Sequence, residues 1–153
     1  MNMIDFKSFV QSNADLLHGV HPESQESLEK CEAALGFSLP DSMKCLLSTH
    51  GYSPACGVDN IEDSVQITLD CRASIHLPKN VLIINDSNDG GVVYAIADET
   101  PLAEYATIWG DACDLHDLGE GKPLPENNER FQSFAAWIVD RVQFERNLSG
   151  API

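Results

Sequence analysis

The sequence predicts an α+β protein: a central, mainly antiparallel β-sheet with helices packed against it and helices at both chain ends. Three observations carry this. Apolar residues recur at helical spacing near both termini, two β-branched runs (VLIIN and VVYAIA) flank a polar, glycine-ended turn in the middle, and no repeat, low-complexity tract or long linker divides the chain. With 153 residues, 43% of them apolar, the chain can bury roughly 70% of its unfolded surface in one core. A single domain over residues 1–153 is expected, with its core at about residues 24–146.

Taken in order, Ile4, Phe6, Phe9, Val10, Leu16 and Leu17 recur at helical spacing and end near Gly19. A second helix is expected from the Pro22–Ser24 region to Leu35, with Leu28, Cys31 and Leu35 on one face and Gly36 as a left-handed terminator. In FSLPDSMKCLLSTHG, Pro40 suits a first helical position and Asp41 and Ser42 suit the positive end of the helix dipole. Met43, Leu46 and Leu47 then supply a buried face, and Leu39 should point inward.

After a loop from Tyr52 to Asp63, VQITL alternates Val65, Ile67 and Leu69, the pattern of a half-buried strand. The hairpin VLIIN–DSNDGG–VVYAIA follows, its turn able to take positive φ at Gly90 or Gly91. Tyr105–Trp109 reads as a further strand and DACDLHDLGEGKPLPENN as a loop. Phe131, Phe134, Ile138 and Val142, with Ala135 beside them, form the stripe of a closing helix. Trp137 falls beside the core, Arg130, Asp140 and Arg141 stay in water, and Ser149–Ile153 frays.

Nine basic residues against 24 acidic ones give a net charge of −15. Eleven of the acidic residues, against Lys122 alone, fall between Asp86 and Glu129. Such a field repels nucleic acid and anionic membranes and speeds encounter with a basic protein, although solubility by itself accounts for an acidic composition. No stretch approaches the roughly 18 apolar residues of a membrane span, and Asp5 precedes any basic residue at the N-terminus, so a cytosolic protein is expected. Five cysteines at irregular spacing suit reduced thiols.

Chemical motifs are weak. The turn DSNDGG fails the calcium-loop register, because a start at Asn85 places Ile96 where the bidentate Glu belongs. Cys113 and His116, with His50 and Cys56, are the residues from which a zinc site or a thiol–imidazole pair could be assembled, but no CxxC, GxSxG or phosphate-binding glycine loop accompanies them. No catalytic residue, metal or cofactor is expected. Trp109, at a strand end beside Gly110 and Asp111, is a candidate interface residue.

The segment LEKCEAALGFSLPDSMKCLLSTHG resembles the signature of the SUKH superfamily: an acidic residue before a Leu-Gly turn, then Leu-Pro, a second helix and a glycine. The matching positions are Glu32, Leu35, Gly36, Leu39, Pro40, Leu46 and Gly51. The hairpin from Ile83 to Tyr94 and the Phe-rich FQSFAAWI follow in the same order, whereas His50, Gly51 and Tyr52 stand where the family often has Asn-Gly-Gly. The resemblance implies the α+β fold already expected and a binding role. Most bacterial members look like immunity proteins that bind and block a cognate toxin, often a nuclease, and fungal relatives are similar in fold but act as regulators of cell-wall synthesis. Combined with the acidic stretch, it implies contact with a basic toxin domain through Asp86, Asp89, Trp109, Asp111, Asp114, Asp117 and Glu120. The alternative is an adaptor or regulatory module acting on an endogenous partner.

Overall fold

The computed structural model describes residues 2–17, 19, 21–97, 105–126 and 128–149. The N-terminal half is helical: α1 (Met3–Ser12), α2 (Ala14–Leu17), α3 (Gln25–Leu35) and α4 (Asp41–Thr49), followed by a 3-10 turn at Pro54–Cys56 and α5 (Ile61–Ser74). Strands β1 (Val81–Asp86), β2 (Gly91–Ile96) and β3 (Ala106–Asp111) come next. Helix α6 (Ala112–Gly119), strand β4 (Glu129–Phe131) and helix α7 (Phe134–Ser149) complete the described chain. The architecture is the α+β arrangement expected, with helices at both ends and an antiparallel sheet in the order β1-β2-β3-β4.

The turn between α3 and α4 forms for reasons visible in its residues. Ser24 caps α3 by accepting from the Ser27 amide, and Gly36 ends it at φ +85°, a conformation that favours glycine. Glu32 then reaches forward: its carboxylate accepts the Leu39 amide at 2.7 Å and lies 3.6 Å from the Lys44 ammonium. The acidic residue of the signature is therefore a clamp on the turn that drives Leu39 into the core. Pro40 stands just outside α4, one residue earlier than expected, and makes no side-chain cap bond there.

The expected strand VQITL is instead part of α5. Asn60 accepts from the Glu62 amide, Glu62 and Asp63 occupy the first turn, and Ile61, Ser64, Val65 and Thr68 are buried at helical spacing. Residues two apart on a helix point about 200° apart, and α5 uses both directions. Val65 and Leu69 face the larger core, whereas Ile67 and Cys71 face the smaller one. Alternating apolar residues thus reflect a helix wedged beside the sheet edge between two apolar layers. Helix α5 also closes that edge: the Ser64 hydroxyl donates to the Ile84 carbonyl at 2.9 Å, and the Thr68 hydroxyl accepts the Ile83 amide at 3.0 Å. These are backbone groups that an open strand would present to another chain.

The hairpin is as expected, with Gly90 at φ +100° and Asn88 at φ +60° in its turn. The expected loop after β3 is a second correction, because its first half is the helix α6. Asp111 caps it by accepting from the Cys113 amide, while the Asp114 carboxylate accepts in turn from the Asp111 amide. Strand β4, not foreseen, takes Phe131 out of the closing helix and pairs it with Thr107, so α7 starts at Phe134. Of the tail expected to fray, Ser149–Ile153, Ser149 is the last residue of α7 and 150–153 lie outside the described residues.

The sheet separates two apolar layers. Leu82, Ile84, Val93 and Ala95 meet α1, α3, α4 and α7, with Phe6, Leu46, Phe134, Trp137 and Ile138 at the centre. Val81, Ile83, Val92, Tyr94 and Ile108 meet Leu115 of α6 and the far side of α5. Arg146 ties the last helix to the first ones through a paired contact with Asp15 and a bond to Asn13, all at 2.8 Å.

Candidate protein-docking surface

Antiparallel register decides which side chains share a face. Val93, Trp109 and Glu129 are directly opposed on neighbouring strands, which puts Trp109 on the sheet face that α7 covers. The helix does not cover it fully, and Trp109 remains 40% exposed. Arg141 of α7 lies over it, with the guanidinium carbon 5.6 Å from the Trp109 ring centre and 4.8 Å from that of Phe144. Phe144 is itself 47% exposed, and Glu145 holds the same guanidinium at 2.8 Å. An aromatic–arginine–aromatic stack therefore reaches solvent. This combination of Trp and Arg is enriched among residues that dominate protein–protein affinity.

Beside the stack is a cleft of about 330 Å³. Val93, Trp109 and Trp137 form its apolar walls, and Asn85, Ser87, Asp89 and Arg141 its polar rim. Trp137 belongs to the core as expected, at 1% exposure. Asp89 is fixed within the hairpin turn, where it accepts from the Ser87 hydroxyl and, at 3.0 Å, from the Gly91 amide. These bonds hold its carboxyl below the ordinary carboxylate range, the Ser87 hydroxyl contributing most. Asp111 lies at the same end of the sheet, because the Ala112 amide donates to Gly90 of the turn at 2.8 Å. Its carboxyl is likewise lowered, by the Cys113 amide.

The seven sequence-derived candidates thus divide. Asp89, Trp109 and Asp111 come together at the hairpin end. Asp86 shares that end but faces the α5 flank, lining a shallow depression with Asp59, Asp63 and Asp70. There, burial first and the Asp63 carboxylate second raise the Asp59 carboxyl. Asp117 and Glu120 are remote from Trp109, because α6 runs away from the turn and its last residue, Gly119, packs on the Ile75 carbonyl beyond the end of α5. Both carboxylates attend Lys122, Glu120 at 2.8 Å and Asp117 at 3.8 Å.

Asp114 departs most from expectation. At 6% exposure it belongs to the interior, accepting from the Tyr94 hydroxyl at 3.1 Å as well as from the Asp111 amide. Burial, then the charge and hydrogen bond of Asp114, push the Tyr94 phenol far above its usual range. Gly110 makes room for this, since a Cβ there would stand 2.2 Å from the Asp114 carboxylate. Its carboxylate instead ties β2, through Tyr94, and the end of β3, through the Asp111 amide, to α6. Asp98, Glu99 and Glu104 of the acidic stretch lie outside the described residues.

The residues from which a metal or thiol site could be assembled are not brought together. Cys56 is buried in the larger core, with burial raising its thiol, and the His50 ring contacts the Val10 carbonyl at 3.3 Å. Cys113 is exposed on α6, across the sheet, where Asp111 raises its thiol. No group of three or more metal-ligating side chains is assembled among the described residues. Nor is any helix among them long and apolar enough to cross a membrane.

Arg141 and Phe144 were not legible as site residues. Their one sequence signal is spacing, Arg141 four positions after Trp137 and Phe144 three after that, which aligns them along one side of a helix.

The fold and this surface define a class before they define a family: an α+β domain whose assembled surface features suit contact with another protein. Residues 22–140 match the model of the SMI1 / KNR4 family (SUKH-1), and the chain belongs to that family. No match was found among curated proteins.

Proposed function

We propose that this protein is an immunity-type binder that neutralises a cognate protein toxin by docking the hairpin end of its sheet onto it. The observation that carries the reading is the solvent-reaching stack of Trp109, Arg141 and Phe144, flanked by Asp89 and Asp111. Trp109 supplies a rigid apolar anchor, and the surrounding carboxylates pair with Lys or Arg of a basic toxin surface and steer its approach. Blocking is steric and electrostatic and needs no reaction. Family membership supports the binding role, and the net charge of −15 supports a basic partner. The whole chain acts as one domain, in the cytosol where an intracellular toxin would have to be met.

The proposal removes Asp114 from the docking residues and assigns Asp117 and Glu120 to the field that steers encounter, since their partner is Lys122 on the same loop. Capture of a toxin domain, the product of the adjoining gene where that gene encodes one, tests it. Purified protein should bind that domain, and Trp109→Ala should release it while circular dichroism stays native. Retention of full affinity by Trp109→Ala, or binding to an endogenous protein instead of the toxin, contradicts the reading.

A further inference from the structure

One irregularity in the sheet aims a polar side chain at the docking surface. Strand β1 skips a residue in its pairing with β2: Ile83 opposes Tyr94 and Asn85 opposes Val93, so Ile84 is bulged. Strict alternation after Ile84, which faces the larger core, would send Asn85 to the α6 side of the sheet. The bulge keeps both on one face, and the Ser64 hydroxyl holds it there through the Ile84 carbonyl at 2.9 Å. Asn85 thereby shares the face of Val93 and Trp109 and lines the cleft beside them.

Asp59, in the loop before α5, fixes how Asn85 is turned. The Asn85 Nδ2 donates to Asp59 Oδ1 at 3.1 Å. An ionised carboxylate only accepts, so it takes the amino end of the carboxamide and leaves the oxygen directed away from it. Asp59 lines the depression on the α5 flank and not the cleft, so the end turned away from it is the end on the cleft side. That oxygen takes no hydrogen bond among the described residues. The sealed side-chain atoms without a partner there are Arg72 Nε, Asn128 Nδ2 and Trp137 Nε1, so the Asn85 oxygen is open to solvent. The arrangement works against stability. Burial first, then the Asp63 carboxylate, raise the Asp59 carboxyl, and the charged groups that face it, Asp63 from α5 and Asp86 from β1, are both acidic. Asp70 of α5 lines the same depression. A carboxylate kept where its charge is disfavoured fits a residue retained for function.

Building on the docking surface proposed above, we infer that Asp59 is a positioning residue for it, holding the Asn85 side chain with its oxygen outward as an acceptor for a lysine or arginine of the partner. Lysine and arginine side chains carry donors only, so an outward oxygen bonds them and an outward amino group cannot. Asparagine at 59 would undo this. Its carboxamide accepts at one end only. With that end toward the Asp86 backbone N–H, which Asp59 also faces, its Nδ2 meets Asn85 and turns the Asn85 oxygen inward.

Asp59→Asn should weaken binding to the captured toxin domain about two- to tenfold, the factor one net hydrogen bond supplies, while the protein itself becomes more stable at neutral pH. A merely structural residue does not lose affinity while gaining stability. Asn85→Ala should weaken binding by a similar factor, and adding Asp59→Asn to it should change nothing further. The advantage of wild type over Asp59→Asn exists while Asp59 is ionised, so it should shrink as pH falls through the raised Asp59 range toward 3.8. Without any toxin, the Asn85 Nδ2 signals of a ¹⁵N–¹H spectrum, assigned by their loss in Asn85→Ala, should follow one acid transition together with the Asp59 carboxyl, and Asp59→Asn should abolish it. Equal toxin affinity of wild type and Asp59→Asn overturns the inference, as do additive losses in the double variant or Asn85 signals that ignore the Asp59 titration. Failed capture by the wild-type protein removes the docking reading instead, while the spectrum still reports how Asn85 is turned.

Discussion

Asp114→Ala should destabilise the protein by about 2–4 kcal/mol, a loss that follows from two hydrogen bonds made by one buried carboxylate. The Tyr94 ring is 0% exposed and its hydroxyl donates to Asp114. Removing the acceptor leaves that hydroxyl buried without a partner, roughly 1–3 kcal/mol. The same substitution deletes half of the capping box, the bond from the Asp111 amide, worth roughly 0.5–2 kcal/mol. Tyr94→Phe keeps the cap and should cost only about 1 kcal/mol. The double variant should be less destabilised than the sum by about 1 kcal/mol or more, since no hydroxyl is then orphaned. Urea unfolding followed by circular dichroism and tryptophan fluorescence measures all three, with the slope unchanged. An Asp114→Ala loss below about 0.5 kcal/mol, or strict additivity, would refute the assignment of Asp114 to the interior and return it to the surface.

Gly110→Ala should resemble Asp114→Ala in the same assay or exceed it, because the new methyl would stand 2.2 Å from the Asp114 carboxylate and displace it; a stability equal to wild type would contradict the packing. Thr68→Val retains shape but removes the acceptor of the buried Ile83 amide, so a loss of about 1–3 kcal/mol is expected, together with faster hydrogen exchange at Ile83. Asp59→Asn should raise stability at neutral pH. The raised carboxyl makes the folded state hold that proton more tightly than the unfolded state does, so the Asp59 contribution is full below its ordinary 3.8 and is lost as pH rises through the raised value. The gain from Asn should therefore vanish below about 3.8, and a gain independent of pH would show another cause.

What was legible in the sequence were features whose physics is local. Gly36 terminates α3 because few residues other than glycine tolerate its φ, and the 83–94 hairpin forms because two β-branched runs flank a turn with Asn88 and Gly90 at positive φ. The misread elements depended on neighbours. Val65, Ile67 and Leu69 alternate because α5 sits between two cores, and no single segment reveals that a helix has two buried sides. The capping box of α6 has Asp114 where Glu or Gln is usual, and a helix this short leaves little periodicity to find. Charge misled in a related way: a carboxylate between a glycine and a distant tyrosine is internal, but Gly110 and Tyr94 are brought to it only by the pairing of β2 with β3. Trp109 was recognisable as a candidate, while Arg141 and Phe144 became part of the surface only once α7 was laid over that strand.

The central claim is that the hairpin end of the sheet, anchored by Trp109, is the toxin-binding surface. Isothermal titration of the captured toxin domain tests it most directly, with Trp109→Ala, the pair Asp89→Lys and Asp111→Lys, and the pair Asp117→Lys and Glu120→Lys compared at one salt concentration. Trp109→Ala should weaken binding at least about 30-fold, the effect of a hot-spot residue. Charge reversal at Asp89 and Asp111 should weaken it comparably, while reversal at Asp117 and Glu120 should change it less than about threefold, the scale of exposed remote charges. Full affinity in Trp109→Ala together with lost binding in the Asp117 and Glu120 pair would contradict the account and move the interface to the far end of α6.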